Sequence, residues 1–171
     1  MLQFVFKFLE KTCYNKKQIQ LKRKVYMNIV MLLKPKCDVA FLYEDNTLRQ
    51  GLEKMRYHGY TAIPVIARDG TYVGTVSEGD FLWSVLDNGG QSLKDEEKYT
   101  VRDILKAGWN PAVRVNITMD ALLLKAMDQN FVPVTDDRGS FMGIVTRRDV
   151  LKYFYQNQWQ EEKRPLQAVA Q

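Results

Sequence analysis

A chain of 171 residues, 46% hydrophobic and 26% charged, has the length and composition of one globular domain. Its net charge of +5 sits at one end: Met1 to Lys36 hold nine Lys or Arg and one acid, whereas the remainder holds 16 bases and 19 acids. No stretch approaches the roughly 18 apolar residues of a membrane span, and Cys13 and Cys37 show neither zinc-ligand spacing nor a disulfide framework, which fits a reducing, cytoplasmic setting.

In chain order, a basic N-terminal extension (1–26) comes first. It is a poor secretory signal, because its apolar residues lead and lysines interrupt and follow them. It reads as a flexible extension, with a segment that touches anionic membrane or nucleic acid as the alternative. A translation start at Met27 would remove it and leave everything after it intact. Asn28 to Lys34 form a short helix, followed by a strand near Val39 and Ala40. Thr47-Leu48-Arg49-Gln50 fits a capping box, opening a helix with Leu48, Leu52 and Met55 on one face. Ile63, Val65 and Ile66 beside Pro64 make a strand, and Asp69-Gly70 is a hairpin signal. The strand returns through Tyr72 to Val76, where Gly74 marks a bulge or a close backbone approach. Ser77-Glu78-Gly79-Asp80 then opens a helix whose apolar face is Phe81, Leu82, Val85 and Leu86.

After a polar linker (87–98) the pattern recurs. A shift of 69 positions lays Ile63 to Leu82 on Val132 to Leu151 without a gap, matching Pro64 with Pro133, Gly70 with Gly139, Gly74 with Gly143 and Asp80 with Asp149. Thr100 to Lys106 repeat the short helix of Asn28 to Lys34, and Thr118 caps a helix carrying Met119, Leu122, Leu123, Ala126 and Met127. Asp136-Asp137 is the polar tip of the second hairpin. Thr146-Arg147-Arg148-Asp149 opens the last helix, with Val150, Leu151, Phe154 and Tyr155, which runs to about Lys163 before Arg164-Pro165 ends it. The fold class is therefore α/β (α+β). Two β-α-β-β-α repeats, 27–86 and 99–155, are expected to pack as a pseudo-twofold pair around a shared core, since one unit is too small to hide its own sheet face. Residues 156–171 form a helix extension and tail.

Catalysis finds no support. His58 is the only histidine, and neither a Ser-His-Asp arrangement nor a phosphate-loop motif can be assembled. Ligand binding has better grounds. A helix opened by Ser77 or Thr146 presents backbone N–H groups and a positive dipole end to a phosphate, and an Asp three residues on can accept from a ribose diol. The same Ser/Thr-x-x-Asp spacing also makes a capping box that needs no ligand.

The segments GYTAIPV and GTYVGTVSEGD, with NFVPV and GSFMGIVTRRD, resemble a tandem pair of CBS (cystathionine-β-synthase) domains over about Asn28 to Tyr155. The finer run of GYTAIPV, FVPV and TRRDVL is similar to stand-alone bacterial CBS proteins that sense cyclic di-AMP. The resemblance implies a regulatory sensor that holds an adenine nucleotide (cyclic di-AMP first, then AMP, ADP or ATP) in a cleft between the repeats. It would have no other cofactor and no enzymatic activity, and would signal as a homodimer to a regulated partner protein. Carried over residue by residue, it assigns Ser77, Asp80, Thr146, Arg147, Arg148 and Asp149 to the phosphate and ribose. Tyr60, Thr61 and Ala62, with Asn130, Phe131 and Val132, would hold the base, and Val39 and Ala40 would complete the first wall. The segment before Pro133 is three residues shorter than that before Pro64, a departure that bears on the second base pocket. Two rival readings are a ligand-free dimerisation module and nucleic-acid binding through the leader.

Overall fold

A computed structural model describes residues 28–87 and 97–162, with side chains up to residue 156. The leader, the Met27 start, the centre of the linker and the tail lie outside the described residues.

The first repeat runs β2 (Leu42–Tyr43), α1 (Leu48–His58), β3 (Ala62–Ile66), β4 (Tyr72–Ser77) and α2 (Glu78–Asp87). The second runs β5 (Val113–Arg114), α3 (Met119–Asp128), β6 (Phe131–Thr135), β7 (Phe141–Thr146) and α4 (Arg147–Glu162). Both are β-α-β-β-α, and both helix starts follow their caps. Thr47 Oγ1 accepts from Gln50 N at 3.2 Å while Gln50 Oε1 accepts from Thr47 N at 3.1 Å, the reciprocal box. Thr118 Oγ1 accepts from Ala121 N at 3.3 Å. The strand expected near Val39 and Ala40 starts later, at Leu42, because a 3-10 turn over Lys36–Asp38 occupies the approach.

Each hairpin carries a bulge at the same place. Val65 pairs with Gly74 and Ile66 with Tyr72, leaving Val73 unpaired; Val134 pairs with Gly143 and Thr135 with Phe141, leaving Met142 unpaired. The two hairpin tips then join each other by reciprocal main-chain bonds. Tyr72 N donates to Gly139 O at 3.1 Å and Phe141 N to Gly70 O at 2.9 Å, around a local twofold.

The hydrophobic interior differs from the shared core expected. Each repeat has its own core, and each is closed by the segment that leads into the other repeat. Ile29, in a 3-10 turn over Ile29–Met31, lies fully buried among Val113, Leu122, Val132, Val134 and Val145 of the second repeat. The strand that follows it, β1 (Lys34–Pro35), adds to the edge of β7, so the sheets read β1-β7-β6-β5 and β2-β3-β4. Val101, in a 3-10 turn over Val101–Ile104, is correspondingly buried among Leu42, Leu48, Ile63, Val65 and Phe81 of the first. A third cluster of Val39, Ile66 and Phe141 fills the joint between the repeats.

The expected helix faces are only half right. Phe81 and Val150 are buried, but Leu82 and Leu86 are 54% and 55% exposed, and Leu151 and Tyr155 are likewise exposed. Helical spacing identified the apolar stripe correctly. It could not say that only its inner edge packs within the chain.

Candidate functional site

The base of each hairpin brings a turn residue and a pre-proline residue side by side. Ser77 is the register partner of Ala62, and Thr146 is the register partner of Phe131. Each helix that follows is tied to the same segment, with Glu78 N donating to Thr61 O at 3.0 Å and Arg147 N to Asn130 O at 2.9 Å. Between the repeats lies a cleft of about 120 Å³ that draws Ala62 from the first repeat to Asn130 and Phe131 from the second. Trp109, Asn110, Asp128 and Gln129 complete its lining.

At the first turn Asp80 is 5% exposed, and its carboxylate is fully engaged. Oδ2 accepts from Ser77 N at 2.8 Å and from Ser77 Oγ at 2.7 Å, while Oδ1 meets Lys106 Nζ at 2.7 Å. Burial alone would raise this carboxyl's pKa. The hydrogen bonds from Lys106 and Ser77 outweigh that and hold it below the ordinary carboxylate range. The second turn repeats the pattern more loosely: Thr146 Oγ1 donates to Asp149 Oδ2, Asp149 N donates to Thr146 Oγ1 at 3.2 Å, and Lys34 Nζ stands 3.8 Å from Oδ2. The first turn is thus a reciprocal capping box and the second shares its hydroxyl bonds, each topped by a lysine from the other repeat's leading segment.

Lys34 and Lys106 were not among the residues expected at the turns. The signal was present, since Leu33-Lys34 and Leu105-Lys106 end two matching segments. It was hidden because isolated lysines read as solvated charge. Trp109 and Asn110 were also missed; they sit in Gly108-Trp109-Asn110-Pro111, a turn-rich stretch outside the repeated motif.

The remaining expected site residues differ in their burial. Tyr60 is 38% exposed and stacks on His58 with ring centroids 5.3 Å apart. Thr61 is exposed and Ala40 half-buried against the first core. Val132 is fully buried, so its side chain belongs to the second core. Arg148 is exposed. Arg147 already has protein partners at the end of the preceding helix. Its Nε donates to Ala126 O at 2.8 Å and Gln129 O at 3.0 Å, at the carbonyl end of α3. A cation at the start of α4 is unfavourable for that helix, but the C-terminus of α3 offsets it, without an anion. Replacing Arg147 with Met is therefore expected to lower stability by about 1–2 kcal/mol in chemical denaturation. Arg148→Met should stay within about 0.5 kcal/mol.

Among the described residues there is no cluster of His, Cys, Asp or Glu that could hold a metal ion, and no helix is long and apolar enough to cross a membrane.

Known proteins agree on the architecture. The profile of the CBS domain matches twice, over residues 32–87 and 101–156. A Methanocaldococcus jannaschii protein described as uncharacterized is 26% identical, over 65% of this chain and 83% of its own. Two further curated relatives are matched over only 49% and 21% of their lengths. Structures of CbpB in complex with c-di-AMP superpose with TM-scores of 0.73 and, for the Listeria monocytogenes protein, 0.68, at 21% and 24% identity. They cover 86% and 79% of this chain and 99% and 98% of theirs. Arabidopsis thaliana CBSX2 in complex with AMP gives 0.63 at 21% identity, over 77% of this chain and 98% of that one.

Proposed function

The chain belongs to the CBS domain family, and from that membership we propose that it is a regulatory sensor of adenine nucleotides. The observation that carries the reading is the cleft to which both repeats contribute, Ala62 on one side and Asn130 and Phe131 on the other. Their register partners Ser77 and Thr146 open helices beside it. A base held between the repeats has its ribose and phosphates led toward Ser77 and Asp80, or toward Thr146, Arg148 and Asp149, with Tyr60, Thr61 and Ala40 on the outer wall. Lys106 and Lys34 supply positive charge at the two turns, and a ribose that takes Asp80 or Asp149 frees the lysine for phosphate. Cyclic di-AMP is the leading ligand and AMP, ADP or ATP the alternative, because structures of the same fold hold c-di-AMP and AMP. The response passes to a regulated partner protein.

Thermal denaturation with a nucleotide panel tests this. A ligand bound only to the folded state stabilises it by about 2.7 kcal/mol at 100 times its dissociation constant, a readily measured rise in melting temperature. If no adenine nucleotide shifts the transition at millimolar concentration, the sensor reading is wrong.

A second reading has its own observation. Leu82, Trp83 and Leu86 on α2 and Leu151 and Tyr155 on α4 are exposed, and isolated apolar residues become an interface when they share helix faces. The pair forms a homodimer through these faces, with or without a nucleotide. Phe81 takes no part, being enclosed in the first core. Light scattering at tens of micromolar should give twice the monomer mass, and Leu86→Glu should lower it. A monomer mass for the unaltered chain would contradict this.

A further inference from the structure

Two lysines of the first repeat are brought to one aromatic ring. Lys36 Nζ stands 5.2 Å and Lys54 Nζ 5.3 Å from the ring centroid of Phe41, the residue before β2. All three residues are half-buried. Among the described residues neither lysine has a hydrogen bond or an ion pair. The other charges nearby are already matched. Arg68 lies 4.0 Å over Tyr43, the ring edge-on to Phe41 at 5.6 Å, and pairs with Asp45 at 2.9 Å. Glu44 pairs with Arg102 at 3.2 Å, and Asp69 accepts from Thr71 N at 2.9 Å. Asp38 shares the 3-10 turn of Lys36 but forms no ion pair with it. Two cations on one ring are therefore left without a counter-charge from the chain.

The second repeat shows that the fold does not require this arrangement. Leu42 pairs with Val65 as Val113 pairs with Val134, so Ala112 stands where Phe41 does. Lys125 follows the cap Thr118 by the same seven residues that separate Lys54 from Thr47. With no ring in reach of that position, Lys125 is exposed. The ring quadrupole of Phe41 attracts the two ammonium groups of the first repeat, while their like charges repel each other. What the ring contributes is position. A free lysine loses much rotamer freedom when a partner fixes it. Groups already held in place lose less on binding.

The chemistry that fits is acidic, local and partly apolar. Carboxylates answer the two ammonium groups, and an apolar side chain beside them covers the part of Phe41 that stays accessible. A long, uniform polyanion such as nucleic acid fits less well. Beyond Lys36 the chain holds 19 acids against 16 bases, which repels a phosphate backbone everywhere except at this spot. We infer that Lys36, Phe41 and Lys54 form a docking surface for an acidic segment of a partner protein. Phe41 also meets Phe141 of the second repeat, with centroids 6.4 Å apart, so the surface adjoins the joint between the repeats. This rests on the reading that the chain acts on a partner protein, and it makes no use of the nucleotide cleft.

NMR titration of the full chain with poly-L-glutamate tests the inference, read at the Phe41 ring and at the side chains of Lys36 and Lys54. These signals should shift to saturation, and added salt should reverse the shifts. The readout is local, so binding by the basic residues of 1–26 does not enter it. Lys36→Met and Lys54→Met should each weaken binding about two- to fivefold, and together about tenfold. Lys125→Met should change nothing. Signals that do not move overturn the inference, as do shifts that survive both substitutions. Single-stranded oligothymidylate that moves the same signals equally at matched charge would make this a phosphate-binding surface and overturn the acidic-protein assignment. Thermal denaturation with adenine nucleotides is run beside it. A nucleotide shift without polyglutamate binding removes the docking surface alone, and the converse removes the sensor reading alone.

Discussion

Replacing Gly143 with Ala is expected to lower the melting temperature by about 4–24 °C, whereas the matching change at Gly74 moves it by only a few degrees. The two glycines hold the same position in the repeat, beside the same bulge, but face different neighbours. A Cβ on Gly143 would lie 2.0 Å from Lys34 O and 3.0 Å from Lys34 C. These are main-chain atoms of β1, which cannot turn aside without leaving the sheet edge. Gly143 also holds φ at 151°, on the side of the map that L side chains rarely adopt. Overpacking of about 1–3 kcal/mol adds to backbone strain of about 1–3 kcal/mol. A Cβ on Gly74 meets only Leu105 Cδ2 at 2.9 Å, the end of a side chain that can rotate. Differential scanning calorimetry of the two variants checks the difference. The Gly143 change has a further consequence, because β1 follows Ile29 and carries Lys34, the lysine over Asp149. Similar small shifts for both glycines would mean that β1 does not hold this edge.

That asymmetry marks where sequence reading succeeds and where it stops. The hairpins were legible because Asp69-Gly70 and the matching Gly139 sit at fixed offsets from proline-containing strands, and turn chemistry is local. The helix starts were legible for the same reason: Thr47, Thr118, Ser77 and Thr146 bond to groups three residues away. The exchange of leading segments was not legible. Its elements are 3-10 turns of three or four residues and a strand of two, too short for periodicity. Only the apolar Ile29 and Val101 hinted at burial, without saying against which repeat. The protein partners of Arg147 were hidden for a similar reason. Adjacent arginines at a helix start invite an anion, and nothing in the local sequence shows the carbonyls at the end of α3 that Arg147 Nε reaches. Function-bearing groups were the least legible. Lys36 and Lys54 matter through the Phe41 ring that they share, a juxtaposition that exists only once the neighbours are in place.

Asp80→Ala is expected to destabilise the fold by about 2–4 kcal/mol and Asp149→Ala by about 1 kcal/mol, although the two occupy equivalent positions. Each accepts a hydrogen bond from the hydroxyl that caps its helix, a contact worth about 0.5–1.5 kcal/mol. Asp80 adds burial, two bonds from Ser77 at 2.7 and 2.8 Å, and Lys106 at 2.7 Å. Asp149 is more exposed, and its lysine is 3.8 Å away. Most of the Asp80 loss comes from the Ser77 bonds, since the Lys106 side chain is 61% exposed and its pairing is screened. The pH dependence separates charge from shape. The Asp80 carboxyl is held below its ordinary value, so its ionised form contributes stability above about pH 4, the unfolded value. That contribution falls away as pH drops through the lower, folded value. Asp80→Asn keeps the shape and removes the charge. Its deficit relative to the unaltered chain should be full near neutrality and shrink steadily below about pH 4. Urea denaturation across pH measures the deficit, and a Lys106→Met background isolates the ion-pair share as the non-additive part. A deficit that stays constant into strong acid would show that the Asp80 carboxylate is not held in its charged form. Equal losses at Asp80 and Asp149 would show that its burial adds nothing.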